Sequence, residues 1–448
     1  MVTTTRRSLL RSLAVTTAAL ATPACAPGRG PGAGSPAELV VGPGAWCWFQ
    51  SPRASIDDAG QLWLGSTQGT GAPVPGSVDV TQVDLTSGAV VARSAIGRDR
   101  VDDHTSPSVC ASSGGVQVGW AAHARVDWLE LGELGRPLQR IHRPGSLVAP
   151  GRGMSYVSAH EVAGERWVLY RGEGFTWNLL TSPDGDTWTA RGTIVRPEPA
   201  GQRPYVLAAS DGERLHVVAS DGNPTEARAC GVSALVIDAD LTIREPEGRR
   251  IGAVGADAPA PRAGQRLFEG TQGAEEHDDV DGWTTDVIVA HRRPTALLTV
   301  RAPWDDDPQA TGRWSHRHLW ARQRSSGRWT VEPLAHGGRE LYGNQPDYSG
   351  LGAIDPLDPT RVVISTDVHP ETGDPLRSTV DDRVHHELFE GRRRSEGRWA
   401  WDALTSNSTE DNLRPVLAAN GRWSALAWMR GTYRSWTDFD THLVLRIA

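Results

Sequence analysis

Short apolar strand patterns recur along nearly the whole chain, while helical periodicity is almost absent. The clearest centres are Leu62-Trp63-Leu64-Gly65, Val116-Gln117-Val118-Gly119-Trp120, Trp167-Val168-Leu169-Tyr170 and Leu215-His216-Val217-Val218. They continue with Ala296-Leu297-Leu298-Thr299-Val300, Val362-Val363-Ile364-Ser365 and Ala425-Leu426-Ala427-Trp428. Each is bounded by Gly, Asp, Pro or Asn, the residues that end strands and make turns. The first three steps are about fifty residues and the later ones longer, close to the ~40–50 residues of a propeller blade. Seven centres predict an all-β chain folded as one seven-bladed β-propeller, each blade a four-stranded sheet around a central channel. The longest step, Val218 to Ala296, carries an acidic insertion around Glu275-Glu276-His277-Asp278-Asp279. The C-terminal strand Thr441-His442-Leu443-Val444-Leu445 needs a partner, so the chain ends are expected to meet in one blade, with the propeller spanning 38–448.

Ser182-Pro183-Asp184-Gly185-Asp186-Thr187-Trp188 looks like a shortened Asp-box, the turn between the outer strands of sialidase-type blades. In such a turn the Ser and Asp satisfy backbone N–H groups and the Trp packs between blades, so the motif speaks for the fold and not for chemistry. The Gly-Arg-Trp triplets ending at Trp314, Trp329 and Trp423 suggest a similar packing role at outer-strand starts.

Residues 1–25 read as an export signal. Arg6-Arg7-Ser8-Leu9-Leu10 has the twin-arginine form, and the apolar run from Leu13 to Ala21 is too short to span a bilayer. Thr22-Pro23-Ala24-Cys25 allows a lipid anchor on Cys25, and cleavage near Ala26 is the alternative. Residues 26–37, rich in Gly, Pro, Ser and Ala, form a flexible linker. The expected location is therefore outside the cell or lipid-anchored at the outer face of the cell membrane. The formal net charge of −8 argues against nucleic acid as partner. Beyond Cys25 the cysteines are Cys47, Cys110 and Cys230, enough for one disulfide with a thiol left over, or for three buried structural residues.

Four residues carry candidate chemistry. His104 stands in Asp102-Asp103-His104-Thr105-Ser106-Pro107 and His123 in Gly119-Trp120-Ala121-Ala122-His123. Tyr156 follows Met154-Ser155, and Arg171 ends Leu169-Tyr170-Arg171. Each sits where a strand pattern meets a loop; the first pair is expected to flank the first strand of the second blade and the second pair that of the third. Loops from one end of a propeller line a shared funnel, so adjacent blades bring such residues together. Arg holds a carboxylate through two parallel hydrogen bonds, and His and Tyr move protons, which suits a carboxylated sugar.

The chain resembles the sialidase-like BNR-repeat propellers that include ulvan lyases and rhamnose–glucuronate lyases. The matching stretches cover most of the chain: Trp46-Cys47-Trp48-Phe49-Gln50-Ser51-Pro52-Arg53-Ala54, Asp102-Asp103-His104, Arg203-Pro204-Tyr205-Val206 and Asp221-Gly222-Asn223-Pro224. They continue through Ser315-His316-Arg317-His318, Asp347-Tyr348-Ser349-Gly350, Thr409-Glu410-Asp411-Asn412-Leu413-Arg414-Pro415 and Trp428-Met429-Arg430-Gly431-Thr432-Tyr433. The resemblance implies a site of His104, His123, Tyr156 and Arg171. Ser155-Tyr156-Val157 replaces the family's Thr-Tyr-Pro, Gly172 follows Arg171 where the family has Asp, and Asn223 stands where many relatives have His. It implies β-elimination at a 4-linked uronic acid: Arg171 and a histidine neutralise the carboxylate, Tyr156 or His123 takes the C5 proton, and Tyr156 returns one to the leaving oxygen.

Further candidates for substrate binding are Arg317 and His318, Tyr205, Asn223 and Trp46. For Trp46 and Trp48 the choice is between stacking on sugar and filling the core. Ser315-His316-Arg317-His318 reads alternatively as an outer strand of alternating exposure. His277-Asp278-Asp279 offers metal ligands or a solvated loop, and His385-His386-Glu387 a strand edge. The elimination requires no cofactor, and a structural divalent cation, Ca or Zn, is compatible with the sequence. The expected partner is an acidic polysaccharide or oligosaccharide and the expected state a monomer. Two other functions remain open on the same scaffold: an α-L-rhamnosidase-like glycoside hydrolase, which needs a carboxyl pair flanking the bond, and a non-catalytic carbohydrate-binding propeller.

Overall fold

Each of the seven strand centres becomes the second strand of one antiparallel sheet. The computed structural model describes residues 38–112, 114–142, 153–275, 278–303, 315–343, 345–395 and 397–447. The export signal, Cys25, the linker, His277 and Trp314 lie outside the described residues.

Blade 1 consists of Ala54–Ile56, Gln61–Thr67, Ser77–Asp84 and Ala89–Arg98, and blade 2 of Ser108–Ser112, Gly115–Trp120, Trp128–Glu133 and Gln139–His142. Blade 3 is Ser155–Val162, Glu165–Arg171, Trp177–Ser182 and Thr189–Val195. Blade 4 starts with Val206–Ser210, Arg214–Ser220 and Val232–Asp238. Blade 5 is Asp281–Ala290, Arg293–Ala302, Ser315–Gln323 and Trp329–Gly338, and blade 6 Gly352–Ile354, Arg361–Thr366, Glu387–Ser395 and Arg398–Ala403. Blade 7 joins Asp411–Ala419, Ser424–Ser435 and Asp438–Ile447 to the N-terminal strand Glu38–Pro43. The first strand of every blade lies against the first strand of the next, and that of blade 7 against that of blade 1, which closes the ring.

The four-strand rule fails in blade 4, whose sheet has six strands. Its outer edge is broken into Thr242–Arg244 and Arg250–Ala253, and Gln265–Phe268 pairs separately with Val232–Asp238. The long sequence step before blade 5 thus adds strands here rather than only a loop. Asp279, expected in a solvated loop, is buried and accepts hydrogen bonds from Arg228 Nε at 2.7 Å and Nη2 at 2.9 Å.

The second strands are buried along most of their length because sheets pack against them on both faces, so they read as largely apolar runs in which Gln117, His216 and Thr299 are buried polar exceptions. The core is accordingly a set of layers between neighbouring blades: Leu129, Leu131, Val157 and Val168 between blades 2 and 3, Leu298, Val218, Val232 and Ala321 between 4 and 5, and Leu388, Val363, Leu426 and Trp428 between 6 and 7. The shortened Asp-box turns between the third and fourth strands of blade 3. Ser182 Oγ and Asp184 Oδ1 accept the N–H groups of Gly185, Asp186 and Thr187 at 2.7–2.9 Å, and Trp188 packs on the layer between blades 2 and 3. Trp329 opens an outer strand as expected, but Trp423 precedes the second strand of blade 7. Cys47, Cys110 and Cys230 are all free thiols, so the disulfide option fails and the structural one stands.

Closure of the ring rests on the pairing of the two chain ends. Glu38↔Arg446, Leu39↔Leu445 and Val40↔Val444 are in register, and fully buried Leu443 lies opposite Gly42 on one side and Met429 on the other. Leu443→Ala opens a cavity at this seam and should cost about 2–5 kcal/mol, read as a lowered midpoint in urea unfolding. A loss under 1 kcal/mol would mean that the seam repacks freely.

Candidate active site

The start of a blade's first strand and the end of its second lie at the same end of the propeller, and this end gathers the candidate residues. His104 and His123 flank not one strand but the first hairpin of blade 2, Ser108–Ser112 with Gly115–Trp120. Tyr156 and Arg171 likewise sit within the first hairpin of blade 3, where Ser155 pairs with Arg171.

Local rules place each side chain. Asp102 caps a short 3-10 turn over Asp103–Thr105 by accepting His104 N–H at 3.1 Å. Its Oδ1 also lies 2.9 Å from His104 Nδ1, and its Oδ2 3.2 Å from His123 Nδ1. One buried carboxylate therefore orients both imidazoles, whose rings stack at 3.8 Å and 10°. Asp103 brings a second oxygen to 2.7 Å from His104 Nδ1, while its Oδ2 accepts the Tyr433 hydroxyl at 2.6 Å. The edge of Trp436 meets both rings at 5.5 Å, and its carbonyl accepts Asp103 N–H at 2.9 Å. Tyr156 sits in a bulge of the inner strand, between Ser155 and Ser158, with φ at 56°. That conformation is costly for a tyrosine and turns its ring toward the histidines, at 5.2 Å from His104 and 6.0 Å from His123. The Arg171 guanidinium lies over the Tyr156 ring at 4.3 Å and near Phe175 at 5.6 Å. It is 6 % exposed, and among the described residues no carboxylate pairs with it.

The two histidines differ in charge because their surroundings differ. Burial opposes the imidazolium of His104, but the charge of Asp103 and the hydrogen bonds to Asp102 and Asp103 prevail and push it up to about 9. Burial and the charged His104 ring stacked on it draw His123 down to about 3, against the pull of Asp102. At neutral pH His104 is the cation. His123 is neutral, and with its Nδ1–H donated to Asp102 it presents Nε2 as a lone pair. Burial raises Tyr156 well above the usual phenol range despite Arg171 beside it, so the phenol keeps its proton. Burial also works against the Asp102 carboxylate, yet the two imidazole hydrogen bonds hold it well below the usual range.

Asp102, His104 and His123 also satisfy a loose criterion for a metal triad, as do Cys47, Asp103 and His104. At His104 Nδ1 the contacts are those of hydrogen bonds rather than of ligands sharing an ion. Ligands about 2.0–2.2 Å from zinc stand roughly 3.4 Å apart, whereas His104 Nδ1 is 2.7 and 2.9 Å from its two carboxylates, which are proton-sharing distances.

The other candidates separate from this cluster. Trp46 and Trp48 are fully buried; their indole N–H groups donate to Arg414 O at 3.1 Å and Ser349 O at 2.6 Å, so they fill the core rather than stack on sugar. Tyr205 is 4 % exposed, stacks on Phe49 at 4.0 Å and donates its hydroxyl to Asp347 at 2.8 Å. It supports Tyr156 from 6.2 Å away. Asn223 caps its own turn by accepting Thr225 N–H at 2.9 Å. His318 is fully buried in blade 5, with Nδ1 3.0 Å from Thr299 Oγ1, and cannot reach a ligand at the surface; Arg317, between two buried histidines, is half-buried on the same strand. His386 is buried rather than edge-exposed, with Nδ1 3.5 Å from Asp411. Asp102 and Asp103 adjoin His104 in sequence, and Tyr348 and Tyr433 fall in family-matching stretches, but nothing in the sequence singled out Trp436 or Phe175.

No known protein-family pattern matches the sequence, and no curated protein matches it. Solved structures do match. One is an ulvan lyase of a polysaccharide lyase family bound to -[GlcA(1-4)Rha3S]-, with a TM-score of 0.56 at 11% identity over 92% of this chain and 94% of that one. Another is the polysaccharide lyase Uly1, with a TM-score of 0.53 at 9% identity over 90% of this chain and 92% of that one. At such identities the likeness is one of fold: this chain shares a seven-bladed propeller, over nearly its full described length, with polysaccharide lyases.

Proposed function

We propose that the protein is an exported polysaccharide lyase that cleaves a uronic-acid glycan, with glucuronate linked to rhamnose as the preferred unit, by β-elimination. The observation that carries the reading is the convergence, on two adjacent blades, of an arginine with no carboxylate partner among the described residues, a charged histidine, a neutral histidine and a protonated phenol. The same propeller architecture in two polysaccharide lyases, one bound to a glucuronate–rhamnose unit, adds support.

The chemistry follows from those states. Arg171 and His104 bind the uronate carboxylate and lower the cost of charge building on it as the C5–H bond breaks. His123 Nε2 takes the C5 proton. The electron pair forms the C4–C5 double bond, the C4–O bond breaks, and Tyr156 donates its hydroxyl proton to the departing oxygen. His123 then returns its proton to Tyr156 through solvent, and Asp102 keeps both imidazoles oriented throughout. A hydrolase reading finds less support: Asp102 and Asp103 are fully buried and already engaged by His104, His123 and Tyr433, so they do not flank an open sugar site as a paired acid and base would.

The direct test is incubation with ulvan, gum arabic and glycosaminoglycans while ultraviolet absorbance of the unsaturated product is followed. Reducing ends released without absorbance would establish hydrolysis instead. The pH profile has a stated sign. Elimination needs His104 charged, which holds below about 9, and His123 neutral, which holds above about 3. kcat/KM should therefore be flat across pH 5–8 and fall above about 9. A limb near the ordinary histidine value would assign the roles differently. The twin-arginine reading is tested by Arg6→Lys with Arg7→Lys, which should retain the protein inside the cell.

A further inference from the structure

The row of side chains that begins at the histidines does not end at Arg171. Arg171 lies 5.6 Å from the Phe175 ring, and a second guanidinium, that of Arg203, lies 4.7 Å from the same ring. One ring joins them, so the two cations stand no farther apart than the ends of a disaccharide. They come from adjacent blades. Phe175 ends the short turn Glu173–Phe175 between the second and third strands of blade 3, and Arg203 stands just before Val206–Ser210, the first strand of blade 4. Both positions belong to the end of the propeller that carries the candidate site.

The fold fixes both residues and leaves their side chains at the surface. Phe175 has φ at 62°, next to Gly174 at 61°. A left-handed phenylalanine is costly, yet this one stays half-exposed instead of filling the core. Arg203 is held from behind: Pro204 O accepts the Trp177 indole N–H at 2.8 Å, and Tyr205 N–H donates to Ser220 Oγ at 2.9 Å. The Arg203 side chain is 42 % exposed and pairs through Nη1 with Glu226 Oε1 at 2.9 Å, Glu226 being 44 % exposed. An exposed ion pair of this kind is weak, so another acidic group can take the place of Glu226. Stacking on Phe175 keeps the guanidinium in place while that exchange occurs.

We propose that Arg203 and Phe175 form a subsite for a second acidic group, carried by the sugar next to the uronate that Arg171 binds. The inference rests on the elimination proposed for that uronate. The second group is a sulfate ester or a carboxylate, either of which matches the planar fork of Arg203. The sugar ring that bears it packs on the exposed part of Phe175. The glycan selected in this way has acidic groups on neighbouring sugars, rather than uronates that stand apart between neutral ones.

Three tetrasaccharides test this: glucuronate–rhamnose from ulvan with its sulfate intact, the same after chemical desulfation, and one of glucuronate alone. Calorimetry in the His123→Gln background reads binding without cleavage, and absorbance of the unsaturated product reads turnover in the unmodified chain. One of the two ligands with neighbouring acidic groups should bind at least about tenfold more tightly than the desulfated one. Which of them does so identifies the group as sulfate or carboxylate. Arg203→Gln should erase that preference, and in turnover it should act through KM with kcat little changed. Equal losses on all three ligands, or no loss on any, would overturn the subsite, as would a parent protein that binds the three alike or binds none. A binding preference that Arg203→Gln erases, with no unsaturated product from the unmodified chain, would sink the elimination and leave the subsite standing. Glu226→Gln decides the matter if Arg203→Gln does not fold. It releases Arg203 from its partner and should tighten the preferred ligand severalfold; unchanged or weaker binding would overturn the proposal.

Discussion

His123→Gln should lower kcat for elimination by ~10²–10⁴ while changing KM little. Glutamine keeps a donor for the Asp102 carboxylate, so the pocket retains its shape, but it has no basic lone pair where His123 Nε2 stands. Tyr156→Phe should show a loss of similar size for a different reason, because it removes the proton given to the leaving oxygen. The two variants part on an activated substrate. A uronoside whose leaving group is an acidic phenol needs no proton donor, so it should restore Tyr156→Phe toward the wild-type rate and leave His123→Gln slow. Rescue of both, or near-native turnover in His123→Gln on the glycan, would place the base elsewhere, with Tyr156 the next candidate. Both changes should leave thermal stability almost intact, since neither removes a charge that folding has buried with a partner: His123 is neutral and Tyr156 protonated in the folded state.

Arg171→Ala should reduce kcat/KM by ~10²–10³, and it should damage both terms. In the proposed elimination the guanidinium meets the carboxylate in the ground state and meets more charge in the transition state. Arg171 rests on aromatic faces and pairs with no carboxylate among the described residues, so its loss should strand no buried anion and should not destabilise the fold. Arg171→Lys keeps the charge but loses the planar fork and the stacking on Tyr156, and should recover only part of the activity. The decisive control is a substrate whose uronate is a methyl ester. Its carbonyl carries no charge to neutralise, so the ratio of wild type to Arg171→Ala should shrink by at least tenfold relative to the free acid. An unchanged ratio would mean that Arg171 shapes the pocket rather than binding the carboxylate.

Much of this molecule was legible without coordinates because propeller blades are written locally. A second strand packed on both faces is largely apolar, so Leu62–Gly65, Trp167–Tyr170 and their counterparts announce one blade each. The Asp-box turn is satisfied entirely within seven residues, and its hydrogen bonds follow from Ser182 and Asp184 alone. The pairing of Glu38–Pro43 with Asp438–Ile447 follows from a terminal strand that cannot remain an open edge. The proximity of His104, His123, Tyr156 and Arg171 followed from the same logic, because strand order alone puts loops of adjacent blades at one end.

What the sequence could not decide is everything that depends on which groups meet across hundreds of residues. His104 and His123 are alike as residues, and only the stacking of their rings, with two carboxylates on one and a cation against the other, makes the first charged and the second neutral. Trp46 resembles a sugar platform until Arg414, 368 positions away, accepts its indole N–H in the core. His318 resembles a ligand-binding residue until neighbouring strands bury it completely. Arg53 falls in a family-matching stretch, but its complete burial follows only from the seven inner strands closing around it. Strand pattern is a property of neighbours in sequence, so the sequence determined the blades and their order. Protonation, burial and countercharge are properties of neighbours in space, so only the closed ring decided them.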